Sequence, residues 1–276
     1  MSGRRITNIL GVNMNYTLIT GACGGLGGAF VEVLAERGEP LFLTGRSEER
    51  LAALKDRLNA KYPDLPVKYR ACDLTSQEDR RAFFEYADGE QIVLSRLVYV
   101  AGVDTQKAFE KYTQEKIVFQ TRVNFEGALS FIHSSLQRGT LDGTFEVLTI
   151  SSMSGICPMP YFAIYSATKK ALAQFSVALR SELKGKAKVT VILPGGIPTR
   201  EDIKQDIIGH GFWGKVSAKS PRSVAVASLK AVRKNKKTKV VGFWNKFIKF
   251  FTDIVPLSWK LHFIKKQWSK TEKDAF

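Results

Sequence analysis

Ser152, Tyr165 and Lys169 have the residue types and the spacing to move a proton. They lie in ISSMSGICPMPYFAIYSATKKAL, with thirteen residues from serine to tyrosine and four from tyrosine to lysine. The alanine-rich stretch around Tyr165 should be helical, and residues four apart share one helix face. An ammonium beside a phenol favours the phenolate, which would lower a pKa that otherwise sits near ~10. Tyr165 then becomes an acid or base usable near neutrality, and Ser152 can hydrogen-bond the same substrate oxygen. Alone, Y-x-x-x-K more often marks a solvated lysine and a half-buried core tyrosine. The serine spacing and a second motif tilt the balance toward chemistry.

That second motif is an element able to hold an anion. Tyr16 to Thr20 (YTLIT) reads as a strand, and GACGGLGGAFVEVLAERG reads as a glycine turn opening a helix with apolar positions at Phe30, Val31 and Leu34. Backbone N–H groups and the helix dipole there point at a phosphate, and glycine lets the phosphate come close. A lone glycine cluster is weak evidence, since turns are glycine-rich for conformational reasons. The strand before and the helix after are what dinucleotide binding requires. Cys23, inside this loop, is either a reactive thiol or, more simply, an inert small side chain.

The segment T20-G-A-C-G-G-L-G27 resembles the T-G-x-x-x-G-x-G cofactor motif of the classical short-chain dehydrogenases/reductases, and S152…Y165-S-A-T-K169 resembles their catalytic signature. Asn124 in TRVNFEGAL matches the asparagine that completes their tetrad, P194-G-G-I-P-T199 matches the segment after the sixth strand, and Asp73 in ACDLT matches the aspartate that contacts adenine. Five motifs in order, from about Tyr16 to Thr199, are far more specific than any one of them. The resemblance implies a catalytic set of Asn124, Ser152, Tyr165 and Lys169. It implies a cofactor set of Gly21, Gly25, Leu26, Gly27, Asp73, Ala101, Gly102, Tyr165, Lys169, Pro194, Gly195, Ile197 and Thr199. Ile197 and Thr199 would approach the carboxamide end, Lys169 would also bond the nicotinamide ribose, and Asn124 would hold a water linking Lys169 to solvent. One departure stands out. Where the family reads N-N-A-G, this chain has Tyr99-Val100-Ala101-Gly102, losing paired amides that brace the central sheet.

Cofactor choice can be argued at the end of the second strand, LTGRS. An NAD site usually places an acid here for the ribose hydroxyls. Arg46 instead offers a planar cationic fork suited to a 2′-phosphate. NADP(H) is the expected cofactor, with carbonyl reduction the favoured direction.

Around these motifs the chain alternates strand and helix: PLFLT, VKYRA, LVYVA, FEVLTI, KVTVIL and TKVVG as further strands, with a polar helix from about Ser47 to Lys61 and a long one near Glu115–Gln137. The pattern predicts an α/β fold, a Rossmann-type doubly wound parallel sheet of about seven strands, in a single domain with a C-terminal amphipathic extension. The expected boundaries are 1–14 as an N-terminal extension (disordered, or the mark of an upstream start codon), 15–242 as the Rossmann domain with a lid at about 200–219, and 243–276 as the tail. Cys23, Cys72 and Cys157 are widely spaced without C-x-x-C, which argues for free thiols in a reducing, cytoplasmic compartment. His133, His210 and His262 form no cluster, so no metal site is expected. No segment reaches the roughly 18 apolar residues of a membrane span.

The net charge is +16, and +10 of it falls in residues 230–276, interleaved with Phe243, Trp244, Phe247, Ile248, Phe250, Phe251, Trp259, Phe263 and Trp268. Such a tail either lies on an anionic membrane surface or packs on the body or a second subunit, as in a dimer or tetramer. Charge alone gives nucleic acid only non-specific binding. The lid and tail suggest an apolar carbonyl or alcohol substrate. The leading expectation is an NADP(H)-dependent oxidoreductase. The alternatives are a non-catalytic NADP-binding sensor or scaffold, and a membrane-surface protein acting mainly through its tail.

Overall fold

Leu18 and Ile19 are chain neighbours that bury on opposite sides of a sheet, as do Phe42 and Leu43, Leu97 and Val98, and Val147 and Leu148. Side chains alternate along a strand, so a run apolar at every position needs cover on both faces. The computed structural model describes residues 14–199 and 218–269, and it shows that cover. Residues 1–13 and most of the expected lid lie outside the described residues.

Seven parallel strands form one sheet: β1 (Asn15–Thr20), β2 (Leu41–Thr44), β3 (Val67–Tyr69), β4 (Val93–Tyr99), β5 (Phe145–Ile150), β6 (Ala187–Leu193) and β7 (Thr238–Val240). Their order is β3-β2-β1-β4-β5-β6-β7. The chain therefore winds outward from β1 to β3, then crosses back to start β4 on the other side of β1. Ligands of open α/β sheets bind at such a switch point, beyond the carboxyl ends of the strands. The glycine loop after β1 and Ala101-Gly102 after β4 both emerge there.

Helices α1 (Gly25–Ala35), α2 (Glu48–Lys61) and α7 (Pro221–Arg233) cover one face, with Phe30, Leu51 and Leu229 fully buried against it. Helices α3 (Gln77–Gly89), α5 (Gly127–Gln137) and α6 (Ala163–Glu182) cover the other, where Phe83, Phe131 and Leu172 pack. Four helices, including α4 (Gln114–Thr121), start on the cap their sequences offer. Ser47, Ser76, Thr113 and Ser220 each accept a hydrogen bond from the amide three residues on. Each such cap stabilises its helix by about 1 kcal/mol.

The single helix expected over Glu115–Gln137 is broken in the structure. Between α4 and α5 lies a π-helical turn, Arg122–Glu126, in which the Gly127 amide reaches back five residues to the Arg122 carbonyl. Two anchors widen the backbone here. The Tyr99 phenol donates to the Val123 carbonyl at 2.7 Å. The Asn124 side chain pairs with both backbone groups of Val103, each at 2.8 Å.

A buried charged network crosses the sheet beneath these loops. Arg96 on β4 donates from Nε to Glu146 on β5 at 2.7 Å and from Nη1 to Glu39 at 2.6 Å. Lys188 on β6 stands 3.6 Å from the other Glu146 oxygen, and Arg233 on α7 pairs with Glu39. The tail forms two further helices, α8 (Phe243–Ile254) and α9 (Leu257–Trp268), separated by Val255-Pro256. Among the described residues no helix is long and apolar enough to cross a membrane.

Candidate active site

The loop leaving β1 turns back on itself at Gly21, whose φ of +65° is left-handed and favours glycine. A Cβ on Gly27 would fall 2.0 Å from the Gly21 carbonyl oxygen, so no larger residue fits without opening the loop. Gly25 lies under Thr199, at 2.6 Å from a built Cβ to the threonine Cβ, which brings the segment after β6 down onto the loop. These residues line a cleft of about 620 Å³ together with Leu26, Arg46, Asp73, Ala101 and Gly102. The backbone cradle at the start of α1 and the cationic rim fit a dinucleotide and its phosphates. Pro194, Gly195 and Ile197 belong to the segment that leads from β6 to Thr199. The Pro194 carbonyl accepts from the Met153 amide at 2.9 Å and the Ile197 carbonyl from the Thr199 amide at 2.8 Å, so they fix that segment.

Arg46 sits exposed after β2, its guanidinium 5.7 Å from the Phe119 ring centre. Arg50, one helical turn further on, reaches across to the Cys23 carbonyl at 2.9 Å. The sequence reading missed Arg50, which stands in the first turn of α2 and lines the same cleft as Arg46 in the loop before it. Asp73 turns one carboxylate oxygen toward Thr75, accepting from its amide at 2.9 Å and its hydroxyl at 2.8 Å. Burial holds the Cys23 thiol above its ordinary value despite Arg50 nearby, which disfavours the thiolate form.

The four expected catalytic residues come together past Gly102. A Cβ on Gly102 would lie 2.8 Å from Lys169 Nζ and 3.4 Å from Asn124 Oδ1. Ser152 is extended just past β5, accepts from the Ser154 amide at 3.0 Å, and stands near enough to the Tyr165 phenol to favour its ionised form. Lys169 is buried on α6, donating from Nζ to the Ile150 carbonyl at 3.0 Å, with the same nitrogen 5.7 Å from the Tyr165 ring centre. Asn124 is fully buried, and its Nδ2 also reaches the Thr168 hydroxyl at 3.2 Å.

The electrostatics differ from the expectation that Lys169 lowers the phenol pKa. Burial pushes Tyr165 well above its ordinary value and Asp104 pushes it further, with only Ser152 opposing them. Burial also lowers Lys169 to about 8, against the pull of Asp104. The ammonium stands 5.7 Å from the ring centre, and for both groups desolvation is the largest influence. Tyr165 therefore stands as a neutral phenol, the form that gives a proton away. Asp104, two residues past Gly102, was not singled out from sequence, where nothing marks it.

The departure at Tyr99-Val100 has a structural answer. Tyr99 is wholly buried, and its bond to Val123 ties β4 to the turn that carries Asn124. The Thr20 hydroxyl accepts from the amides of Val100 and Ala101 at 3.0 and 3.1 Å, bracing β1 against β4. A phenol and a threonine thus tie β4 to the Asn124 turn and to β1.

Comparison with known proteins agrees with this geometry. The family model described as short chain dehydrogenase matches residues 15–206. The uncharacterized oxidoreductase DltE of Bacillus subtilis (strain 168) is 33% identical over 174 residues, which span 62% of this chain and 66% of that relative. The 11-beta-hydroxysteroid dehydrogenase-like 4A of Arabidopsis thaliana is 28% identical over 249 residues, or 89% of this chain and 82% of the relative. The same fold recurs in a short-chain dehydrogenase from Sphingobium yanoikuyae solved in complex with NADPH (TM-score 0.70, 24% identity, covering 87% of this chain and 94% of that one). A structure described for 7beta-hydroxysteroid dehydrogenase stereoselectivity aligns with a TM-score of 0.79 at 23% identity, over 91% of this chain and 96% of that one. With the family model matching residues 15–206, the chain belongs to the short-chain dehydrogenase family of nicotinamide-dependent oxidoreductases.

Proposed function

We infer that this oxidoreductase reduces the carbonyl group of an apolar ketone or aldehyde at the expense of NADPH, with Tyr165 as the general acid. The convergence of Ser152, Tyr165 and Lys169, with the Lys169 ammonium against Gly102 in the cleft lining, carries the reading. The bound nicotinamide would supply the hydride that reaches the carbonyl carbon. Tyr165 gives its proton to the developing alkoxide, and Ser152 donates a second hydrogen bond to the same oxygen. Lys169 uses one ammonium donor on Ile150 and keeps others for the ribose hydroxyls. Asn124 holds the Val103 backbone in place and supports the proton route to Lys169. The reverse oxidation uses the same groups. In this reading residues 15–242 are the catalytic domain and 243–276 an extension of it.

Two observations support the finer choices. Arg46 and Arg50 put two guanidinium groups on the rim where a 2′-phosphate would lie, and no acid replaces them at the end of β2. Phe162, whose ring centre is 5.9 Å from that of Tyr165, gives the reacting space an apolar wall. Likeness to a protein named for hydroxysteroid dehydrogenation supports a lipophilic substrate.

The test is NADPH oxidation against a panel of lipophilic and water-soluble ketones, for the wild type and Arg46→Ala. A charge-assisted hydrogen bond contributes about 1.5–3 kcal/mol. Arg46→Ala should therefore weaken NADPH binding roughly ten- to a hundredfold and leave NADH nearly unchanged. Equal losses for both cofactors would remove Arg46 as the selector. NADPH binding without turnover of any ketone would favour the sensor reading instead.

A further inference from the structure

Helix α8 is built inside out. At about 100° per residue, Phe243, Trp244, Phe247, Phe250, Phe251 and Ile254 fall within an arc of about 120°. All six are exposed, Phe243 at 74%, whereas the polar Asn245 on the opposite side is 1% exposed and donates to the Val241 carbonyl. The rings touch one another in a continuous row, with Trp244–Phe247 at 6.0 Å and Phe247–Phe251 at 4.4 Å between centres. Helix α9 leaves Trp259 at 73% and Phe263 at 67% exposure as well, and carries Lys265 and Lys266 in its last turn. A helix of a soluble body normally turns such a face inward, and a contiguous apolar patch rimmed by charge marks an interaction surface.

We propose that α8 and α9 seat this protein on an anionic lipid surface, with Phe243, Phe247, Phe250, Trp259 and Phe263 inserted at the headgroup boundary and the lysines above them. Charge decides among the occupants. Residues 230–276 carry a net +10, so a second copy docking face to face would meet its own sign. A bilayer containing acidic lipids supplies both the opposite charge and an apolar interior. Single-stranded nucleic acid supplies charge and stacking planes, but leaves the aliphatic Ile254 and Leu257 without a partner. The seat adjoins the reaction centre. Trp268 at the end of α9 packs edge-on against Phe162 at 5.0 Å, and Phe162 packs on Tyr165.

The test is co-sedimentation of the full chain with phosphatidylcholine vesicles, with and without phosphatidylserine, at low and high salt. It is read without cofactor or substrate, so it stands or falls apart from the proposed reaction. The wild type should pellet with the phosphatidylserine vesicles and be released by salt. A variant combining Phe243→Ser, Phe250→Ser, Trp259→Ser and Phe263→Ser should bind at least about tenfold more weakly. Should that variant misfold, tryptophan emission of the wild type gives a second reading: a blue shift on the vesicles and quenching by brominated lipid are expected. Absence of wild-type binding, equal binding by a folded variant, pelleting without vesicles, or preferential displacement by an oligonucleotide would each overturn the proposal.

Discussion

Tyr165→Phe should lower turnover by about 10²–10⁴-fold, with a much smaller loss of cofactor affinity. The substitution keeps the ring that packs on Phe162 and removes only the hydroxyl. The lost group is the proton donor of the proposed reduction. Its environment holds the proton in place, since burial and Asp104 both raise the phenol pKa. Lys169 then sets the pH profile. With its pKa lowered to about 8, it is charged below that value and neutral above it. The kcat/KM for reduction should be level below about pH 8 and fall above it as the ammonium is lost. Steady-state rates across this range, with cofactor binding followed by fluorescence, check both parts. A Tyr165→Phe variant that turns over at the wild-type rate would end the role assigned to this phenol.

Arg96→Ala should cost about 3–5 kcal/mol of stability, a large share of the 5–15 kcal/mol that holds a folded domain together. Arg96 is the shared partner of Glu146, which is 5% exposed, and of Glu39 near the start of β2. Removing it strands the Glu146 charge in the sheet with Lys188 alone, 3.6 Å away. Glu39 is better placed because Arg233 still reaches it. Urea unfolding should show the loss with m unchanged, and Tm should fall on the order of 10 °C. The double variant Arg96→Met with Glu146→Leu should recover much of it, since apolar residues of similar volume often replace a buried pair at little cost. A single-variant loss below about 1 kcal/mol would show that water reaches the pair.

Some of this was legible in the sequence because it is local. The glycine loop, the strand runs and the Ser152–Tyr165–Lys169 spacing are written in residues close along the chain. Periodicity marked all seven strands, and the structure shortens the last to Thr238–Val240. What escaped is set by tertiary contact. RVNFE carries no proline, and its π turn goes with Tyr99 reaching in from β4 and Asn124 pairing outward with Val103. Arg96 reads as an ordinary polar interruption of a strand until Glu146 and Glu39 arrive from far along the chain. The phenol pKa depended on burial depth, which residue spacing alone cannot report. Helix α8 read correctly as amphipathic, but no pattern says which face meets the body.

The bond from Tyr99 to Val123 also bears on life at high pH. Tyr99 is wholly buried and its phenol is held far above the ordinary value, chiefly by desolvation. A folded-state pKa raised above that of the unfolded chain stabilises fully below the unfolded value, near ~10, and that stability drains away as pH climbs through the folded one. Each pH unit above ~10 therefore favours unfolding by about 1.4 kcal/mol through this one hydroxyl. In a spectrophotometric alkaline titration, Tyr99 should stay silent while exposed tyrosines ionise. Its signal should then appear together with loss of secondary structure, so that base and denaturation become one transition. Ionisation of every tyrosine with the fold intact would contradict this. The residue that replaces a family amide in the sheet thus ties part of the protein's alkaline limit to a proton buried in the sheet.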